Sequence, residues 1–342
     1  MRREDLTIEQ QEQYRQALRG ALMAGHEVLK TGGEAMDAVV AAVVRLEDCP
    51  LFNAGHGAVF NTDGKNELES SLMTSKPPAS HPEVPVSRRG SALALLSHIR
   101  NPIKAAREVY LAHDRTHHVL LSGAAAEQLA KELGCEMVDP SYFWTLKRWK
   151  EHRRGLGLPE QPYTPGVRVR DDHGELPLDQ LPKGTVGAVA LDKRGCIAAA
   201  TSTGGATNKL PGRIGDTPQL SAGFFATEWK PRGWLNRTWR HINGKGATRA
   251  VGISGTGDGD YFIRQGTAAK VAYRMEFLGE SVSKAASVAV KELGEDGGKG
   301  GVIAVDEVGN VALPLNSSGM FRGVIRDDGA PLMALWLDKQ LA

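Results

Sequence analysis

Residues 184–205 constrain the fold of this chain more than any other stretch. The run Gly184-Thr185-Val186-Gly187-Ala188-Val189-Ala190-Leu191 is short and apolar. Asp192-Lys193-Arg194-Gly195 supplies turn chemistry, and a second apolar run from Cys196 to Thr203 stops at Gly204-Gly205. This pattern predicts a β-hairpin that opens on one threonine and ends on another. Nothing in strand packing asks for a Gly-Thr junction in mid-chain, whereas hydroxyl chemistry does. A threonine freed at a new chain end carries its own amine, and that amine can act as the base that activates its oxygen. An ordinary α-amino group, with a pKa of about 8, needs little adjustment for the task.

Around the hairpin the periodicities alternate between helix and strand. Tyr14, Leu18, Leu22 and Leu29 share one face of a helix predicted over residues 7–30, which Gly32-Gly33 ends. Ala35, Val39, Ala42, Val43 and Leu46 share a face of a second helix over 34–47. Short strands are expected at 58–60, 67–73 and 92–97, with helices near 102–112 and 124–133. After Thr185, helices are expected near 267–278 and 281–293, then a final hairpin of 301–306 with 311–315. Strands in hairpins with helices grouped between them indicate an α+β fold in which sheets pack together under helices. Residues 151–183 are rich in proline, glycine and charge, a linker composition. No fixed-period repeat appears, so a solenoid is not expected.

Composition narrows the partners. Of 342 residues 41% are hydrophobic, enough for a large core, and a net charge of +2 recommends neither nucleic acid nor a membrane. The three cysteines, Cys49, Cys135 and Cys196, are too few and scattered for a disulfide framework or a zinc site and suit a reducing compartment. The first residues lack the apolar core of a signal peptide, and no apolar run is long enough to span a bilayer. The expectation is a cytoplasmic protein acting on a small molecule.

Several residues carry chemistry. Gly184 leaves its own carbonyl unshielded for attack by the Thr185 hydroxyl, although a Gly-Thr pair also occurs as plain strand structure. Thr203 ends the partner strand, where a threonine also commonly satisfies a local backbone group. Arg213 and Asp216 lie three apart in a Gly-rich stretch. A guanidinium grips a carboxylate at two points and a carboxylate receives an ammonium, while the same pair on a surface is a weak salt bridge. The run Gly255-Thr256-Gly257-Asp258-Gly259 differs from a dinucleotide fingerprint because its glycines alternate and because Tyr261-Phe262-Ile263 is expected to continue as strand. Residues 227–246 place Trp229, Trp234 and Trp239 among arginines and lysines. That composition suits a surface flap or subunit contact.

The runs at 184–192, 201–205, 212–216 and 255–260 follow the order and spacing of the isoaspartyl peptidase/L-asparaginase family, the plant-type asparaginases among the N-terminal-nucleophile hydrolases, which this chain resembles. The resemblance extends through 46–60 upstream and through 312–316 and 319–323 downstream. It implies an αββα sandwich forming one globular unit over 1–342, cut at Gly184-Thr185 into an α fragment (1–184) and a β fragment (185–342). Its implied chemistry is release of L-aspartate from L-asparagine and β-aspartyl dipeptides by Thr185, with Thr203 close by. Thr256 and Gly257 would form the oxyanion hole, and Arg213, Asp216 and Gly259 would join them in binding substrate. No cofactor is implied for catalysis.

The loop from Leu46 to His56 resembles the family's sodium-binding loop. Backbone carbonyls of Leu46, Glu47, Cys49, Phe52, Ala54 and His56 would be the ligands of a structural sodium ion, with Asn53 supporting Thr185 from beneath. A homodimer is also implied. Family members begin with a strand ending in His-Gly-Gly-Ala-Gly, and no such run precedes the helix at 7–30. The resemblance therefore implies either a longer working protein or impaired self-cleavage. The run at 67–75 also departs from the family, which usually carries Asp-Ala and then Met-Asp-Gly there. Two other readings stand beside the leading one: a glycosylasparaginase, and an uncleaved binding or scaffold protein contacting its partner through residues 227–246.

Overall fold

The computed structural model describes residues 6–159, 184–231 and 247–337. Helix α1 (Ile8–Lys30) starts at Thr7, whose hydroxyl accepts the Gln10 amide while the Gln10 side chain accepts the Thr7 amide. This reciprocal pair satisfies two of the donors that a helix start leaves free. Tyr14, Leu18, Ala21 and Gly25 form its buried face. At Gly25 it closes on α2 (Ala35–Glu47), so tightly that a Cβ would lie 3.0 Å from the Ala38 carbonyl oxygen.

One sheet has five strands in the order β3-β2-β1-β5-β4, comprising β1 (Leu68–Thr74), β2 (Gly90–Leu96), β3 (Leu120–Ser122), β4 (Val186–Leu191) and β5 (Ile197–Thr203). The β4–β5 hairpin forms as its pattern predicts, in register from Val186 opposite Ser202 to Leu191 opposite Ile197. Strand β5 continues into antiparallel pairing with β1. A second sheet has the order β6-β7-β8-β9, with β6 (Phe224–Trp229), β7 (Arg249–Gly257), β8 (Gly300–Asp306) and β9 (Val311–Ala312). A separate pair, β10 (Gly319–Val324) and β11 (Leu332–Trp336), follows the expected final hairpin.

The two larger sheets touch. Met73, Ala92 and Ala199 of the first cluster with Phe224 and Ala226 of the second. Gly252 of β7 faces Ile197 and Val189, where a Cβ would meet their methyl groups at 2.5 and 2.8 Å. Helix α2 packs on β4 and β5, while α3 (Pro102–Leu111) covers β1 and β2. Helix α4 (Gly123–Glu132) lies against β2. Helices α7 (Thr267–Phe277) and α8 (Val282–Glu295) bury Val271, Met275, Val290 and Leu293 with Val251, Ile253 and Val302 of the second sheet. Each such side chain removed from water contributes about 1.5–3 kcal/mol before conformational entropy is counted. The arrangement is α+β, and no helix among the described residues is long and apolar enough to cross a membrane.

Four expectations are corrected. Residues 58–60 are not a strand, because the Asn66 side chain takes the Ala58 and Val59 carbonyls at 3.0 and 3.1 Å in place of a neighbouring strand. The linker begins later than residue 151: α5 (Leu146–Gly155) runs through its first residues and buries Glu151 and His152. Residues 160–183 lie outside the described residues. Tyr261-Phe262-Ile263 is helical, within α6 (Gly259–Gln265). Its aromatic and β-branched residues favour a strand, but fully buried Phe262 packs beneath Gly255 and Gly300, where a helical turn delivers it. Of the segment 227–246, residues 227–229 belong to β6, and Trp229 stacks under the Arg249 guanidinium at 5.4 Å; Trp234 and Trp239 lie outside the described residues.

Candidate active site

Thr185 stands one residue ahead of the β4 ladder, and continuing the register from Val186–Ser202 puts it across from Thr203. It borders a cavity of about 680 Å³ whose walls also include Asn53, Gly184, Ser254, Thr256 and Gly257. The Thr185 hydroxyl oxygen lies 3.1 Å from that of Thr217. Thr217 is fully buried, and its carbonyl accepts the hydroxyls of Ser71 at 2.6 Å and Thr201 at 3.2 Å. Those two hydroxyls also bond to each other. The nucleophile candidate thus rests on side chains from β1, β5 and the segment after Asp216. The Thr203 hydroxyl accepts the Gly205 amide at 3.0 Å.

The second sheet contributes Thr256 and Gly257 from the end of β7. A Cβ at Gly184 would lie 2.7 Å from the Thr256 hydroxyl oxygen, so that hydroxyl sits directly against the Gly184-Thr185 junction. Gly257 has φ of +150°, and a Cβ there would strike the Lys299 carbonyl at 2.2 Å. Only glycine fits this turn. Ser254 occupies the next position along the same face, against Gly187, whose missing side chain leaves the room it needs.

Arg213, Asp216 and Gly259 converge on one another without forming walls of that cavity. At Gly259 a Cβ would meet Asp216 Oδ1 at 2.3 Å and Arg213 Nη2 at 3.3 Å. Arg213 also reaches Asp260 at 3.1 Å. Thr217, next in sequence to Asp216, joins this group to Thr185. Burial pushes the Asp216 carboxyl up to about 7, aided by neighbouring Glu69 and opposed by Arg213. Its Oδ2 is buried with no hydrogen-bond partner among the described residues. An ammonium group placed there would satisfy it.

The loop after α2 is pinned from several sides. Asn53 donates to the Gly205 carbonyl at 2.7 Å and accepts the Val59 amide at 3.0 Å, tying the loop to the end of β5. Carbonyls of Leu46, Cys49 and Ala54 accept amides of Cys49, Phe52 and Gly57. Gly55, at φ +52°, and Gly57 press against the carbonyls of Glu47 and Phe52, where a Cβ would come within 2.3 and 2.2 Å. His56 directs its ring to the Tyr142 carbonyl at 2.6 Å. Among the described residues no group of His, Cys, Asp and Glu side chains is arranged for a metal, so a cation held in this loop would rely on backbone oxygens. Arg148 of α5 supports the loop from behind, donating to the Gly57 carbonyl at 2.7 Å and pairing with Glu151 at 2.8 Å.

Sequence reasoning missed Thr217, Ser254, Glu69 and Arg148. For Thr217 a signal existed, since it directly follows Asp216. Arg148 lies on a helix 91 residues from the loop carbonyl it meets, and Glu69 and Ser254 belong to strands that say nothing of what they face.

Comparison with known proteins follows the same lines. A family model described as asparaginase matches residues 1–230 and 242–334. The chain is 40% identical over 322 residues to the isoaspartyl peptidase of Salmonella typhimurium, covering 94% of this chain and 90% of that one. It is 38% identical over 339 residues to the Escherichia coli isoaspartyl peptidase, covering 98% and 93%. To the mouse isoaspartyl peptidase/L-asparaginase it is 34% identical over 288 residues, covering 84% and 73%.

Proposed function

The chain belongs to the asparaginase family that these peptidases represent, and from that premise we propose that it is a self-processing threonine amidohydrolase releasing L-aspartate from L-asparagine and β-aspartyl dipeptides. The observation that carries the reading is the meeting of three hydroxyls, from Thr185, Thr217 and Thr256, at the Gly184-Thr185 junction. In the processing step the Thr185 oxygen attacks the Gly184 carbonyl and its proton passes to the departing nitrogen. Water then cleaves the resulting ester, leaving residues 1–184 and a new amine on Thr185. In turnover that amine takes the hydroxyl proton while the oxygen attacks the substrate's side-chain carbonyl. Thr256 and the Gly257 amide hold the developing oxyanion. The proton goes to the leaving amine or ammonia, and water hydrolyses the β-aspartyl ester to free aspartate.

Arg213 grips the α-carboxylate and the Asp216 carboxylate receives the α-ammonium, with Gly259 leaving room beside both. The same reading joins the sheet and helix contacts into an αββα sandwich of the N-terminal-nucleophile type. It gives the loop at 46–56 a sodium ion on the six backbone carbonyls, supported by the glycine-lined closure of that loop. A cytoplasmic setting agrees with three free cysteines, and a homodimer is part of the family resemblance.

Mass spectrometry of the purified chain tests the central claim. Two fragments, 1–184 and 185–342, are expected, with Thr185→Ala remaining intact. Aspartate should be released from both substrate classes by the cleaved form. A wild-type chain that stays whole on prolonged incubation and yields no aspartate would overturn the proposal.

A further inference from the structure

Strand β1 and the residue just before it present two glutamates, Glu69 and Glu67, to the turn that carries Arg213 and Asp216. The Glu67 carboxylate accepts the Gly212 amide at 3.1 and 3.2 Å, and Glu69 Oε1 accepts the Gly215 amide at 3.0 Å. Glu67 is on the surface side; Glu69 is fully buried. Lys209 lies 3.5 Å from Glu69 and donates to the Glu67 carbonyl at 2.7 Å, so its ammonium closes the same network. The other oxygen, Glu69 Oε2, is buried without a hydrogen-bond partner among the described residues. It faces the Arg213 side of the turn: the point where a Gly215 Cβ would sit is 3.1 Å from Glu69 Oε2 and 2.6 Å from Arg213 Nη1. Nothing in the proton transfers or the oxyanion hole uses this side chain.

From this juxtaposition of the β1 carboxyl, the Gly215 amide and the Arg213 guanidinium, we propose that Glu69 is a positioning residue for substrate recognition, holding the Arg213–Asp216 turn where it reads the α-carboxylate and α-ammonium. The inference rests on the proposed asparaginase and β-aspartyl peptidase reading and adds the residue that places its recognition groups. Glu69 acts through Gly215 and Arg213 and touches neither the scissile bond nor Thr185. Its loss therefore weakens ground-state binding and leaves the chemical step in place.

Charge supplies a second signature. The charged groups that face Asp216 are Glu69 from β1, Arg213 from its own turn and Asp260 from α6, with Lys209 beyond Glu69. Removing the Glu69 carboxyl takes away one anion that opposes ionisation of Asp216. The acid limb of 1/KM then moves to lower pH, which a simple packing defect would not produce.

Steady-state kinetics on L-asparagine and a β-aspartyl dipeptide across pH 5–9 test this, using wild type, Glu69→Met and Glu69→Gln. Glu69→Met, which removes the acceptor, is expected to raise KM by about tenfold or more with kcat within about threefold, the scale of one lost buried hydrogen bond. Glu69→Gln keeps an acceptor of the same reach and should return KM at pH 8 to within about threefold of wild type. It should still show the acid limb at lower pH. If Glu69→Met does not fold, the double variant Glu69→Met/Lys209→Met removes the buried pair together and is expected to show the same KM rise. An unchanged KM in the methionine variants, or a fall in kcat at constant KM, overturns the inference while leaving the proposed activity standing. A wild-type enzyme that hydrolyses neither substrate overturns the activity itself and this inference with it.

Discussion

At the Thr185 hydroxyl, the hydrogen-bond partner among the described residues is the Thr217 hydroxyl 3.1 Å away, itself fixed by Ser71 and Thr201 through its carbonyl. Thr217→Val keeps the shape and removes only the hydroxyl. It is expected to lower kcat roughly ten- to a hundredfold with KM little changed, because a small misplacement of a reacting atom is expensive. Thr217→Ser should restore most of the loss, and stopped-time assays of aspartate release would show either result. Asp216 governs a different dependence. Its carboxyl is pushed up to about 7 by burial and must be ionised to receive an ammonium. KM should therefore rise about tenfold per pH unit as pH falls below that value, and Asp216→Asn should abolish the dependence along with tight binding. Arg213 and Asp216 could be singled out in the sequence because they lie three apart in a Gly-rich stretch, and the structure brings both to Gly259. Thr217 and Glu69 could not, since a threonine after a loop and a glutamate in a strand are ordinary until the fold supplies what they face.

Elements carry these residues into place, and the loop after α2 depends on one from far along the chain. Arg148 of α5 is buried, paired with Glu151 and bonded to the Gly57 carbonyl. Arg148→Met leaves the Glu151 charge unpaired and should destabilise the protein by about 3–5 kcal/mol in denaturant titration. Arg148→Met/Glu151→Met should recover a large part of that, since two apolar side chains can replace a buried pair. The recovered variant should still cleave more slowly, because the Gly57 contact behind Asn53 remains lost. The same loop predicts an ion effect: replacing sodium by choline at constant ionic strength should lower the melting temperature if its backbone carbonyls hold sodium. Helices α1, α2, α7 and α8 and the β4–β5 hairpin were readable because long periodic runs report their own burial. Helix α6 was not, because its Tyr-Phe-Ile core has strand propensity and only the packing of Phe262 beneath Gly255 decides the matter.

Across the whole molecule, the proposed nucleophile and the proposed oxyanion groups come from different sheets. Thr185 precedes β4 and Thr256 ends β7, so their separation is set by how closely the two sheets approach. Gly252 fixes that approach, with Val189 and Ile197 of the facing sheet filling the space a side chain would need. Gly252→Val forces the sheets apart locally and should cost about 1–3 kcal/mol of stability by overpacking, even though valine suits a strand. The wider gap should also pull Thr256 from the Gly184-Thr185 junction. Self-cleavage is then expected to slow by more than the stability loss alone explains, as read by mass spectrometry at a temperature where both proteins are folded. Gly20→Ala in α1 is the matched control. A Cβ there meets open space, and the change should stabilise the helix by about 0.5–1 kcal/mol without altering cleavage. Equal cleavage rates in Gly252→Val and wild type would show that the contact between sheets does not set the geometry of the site.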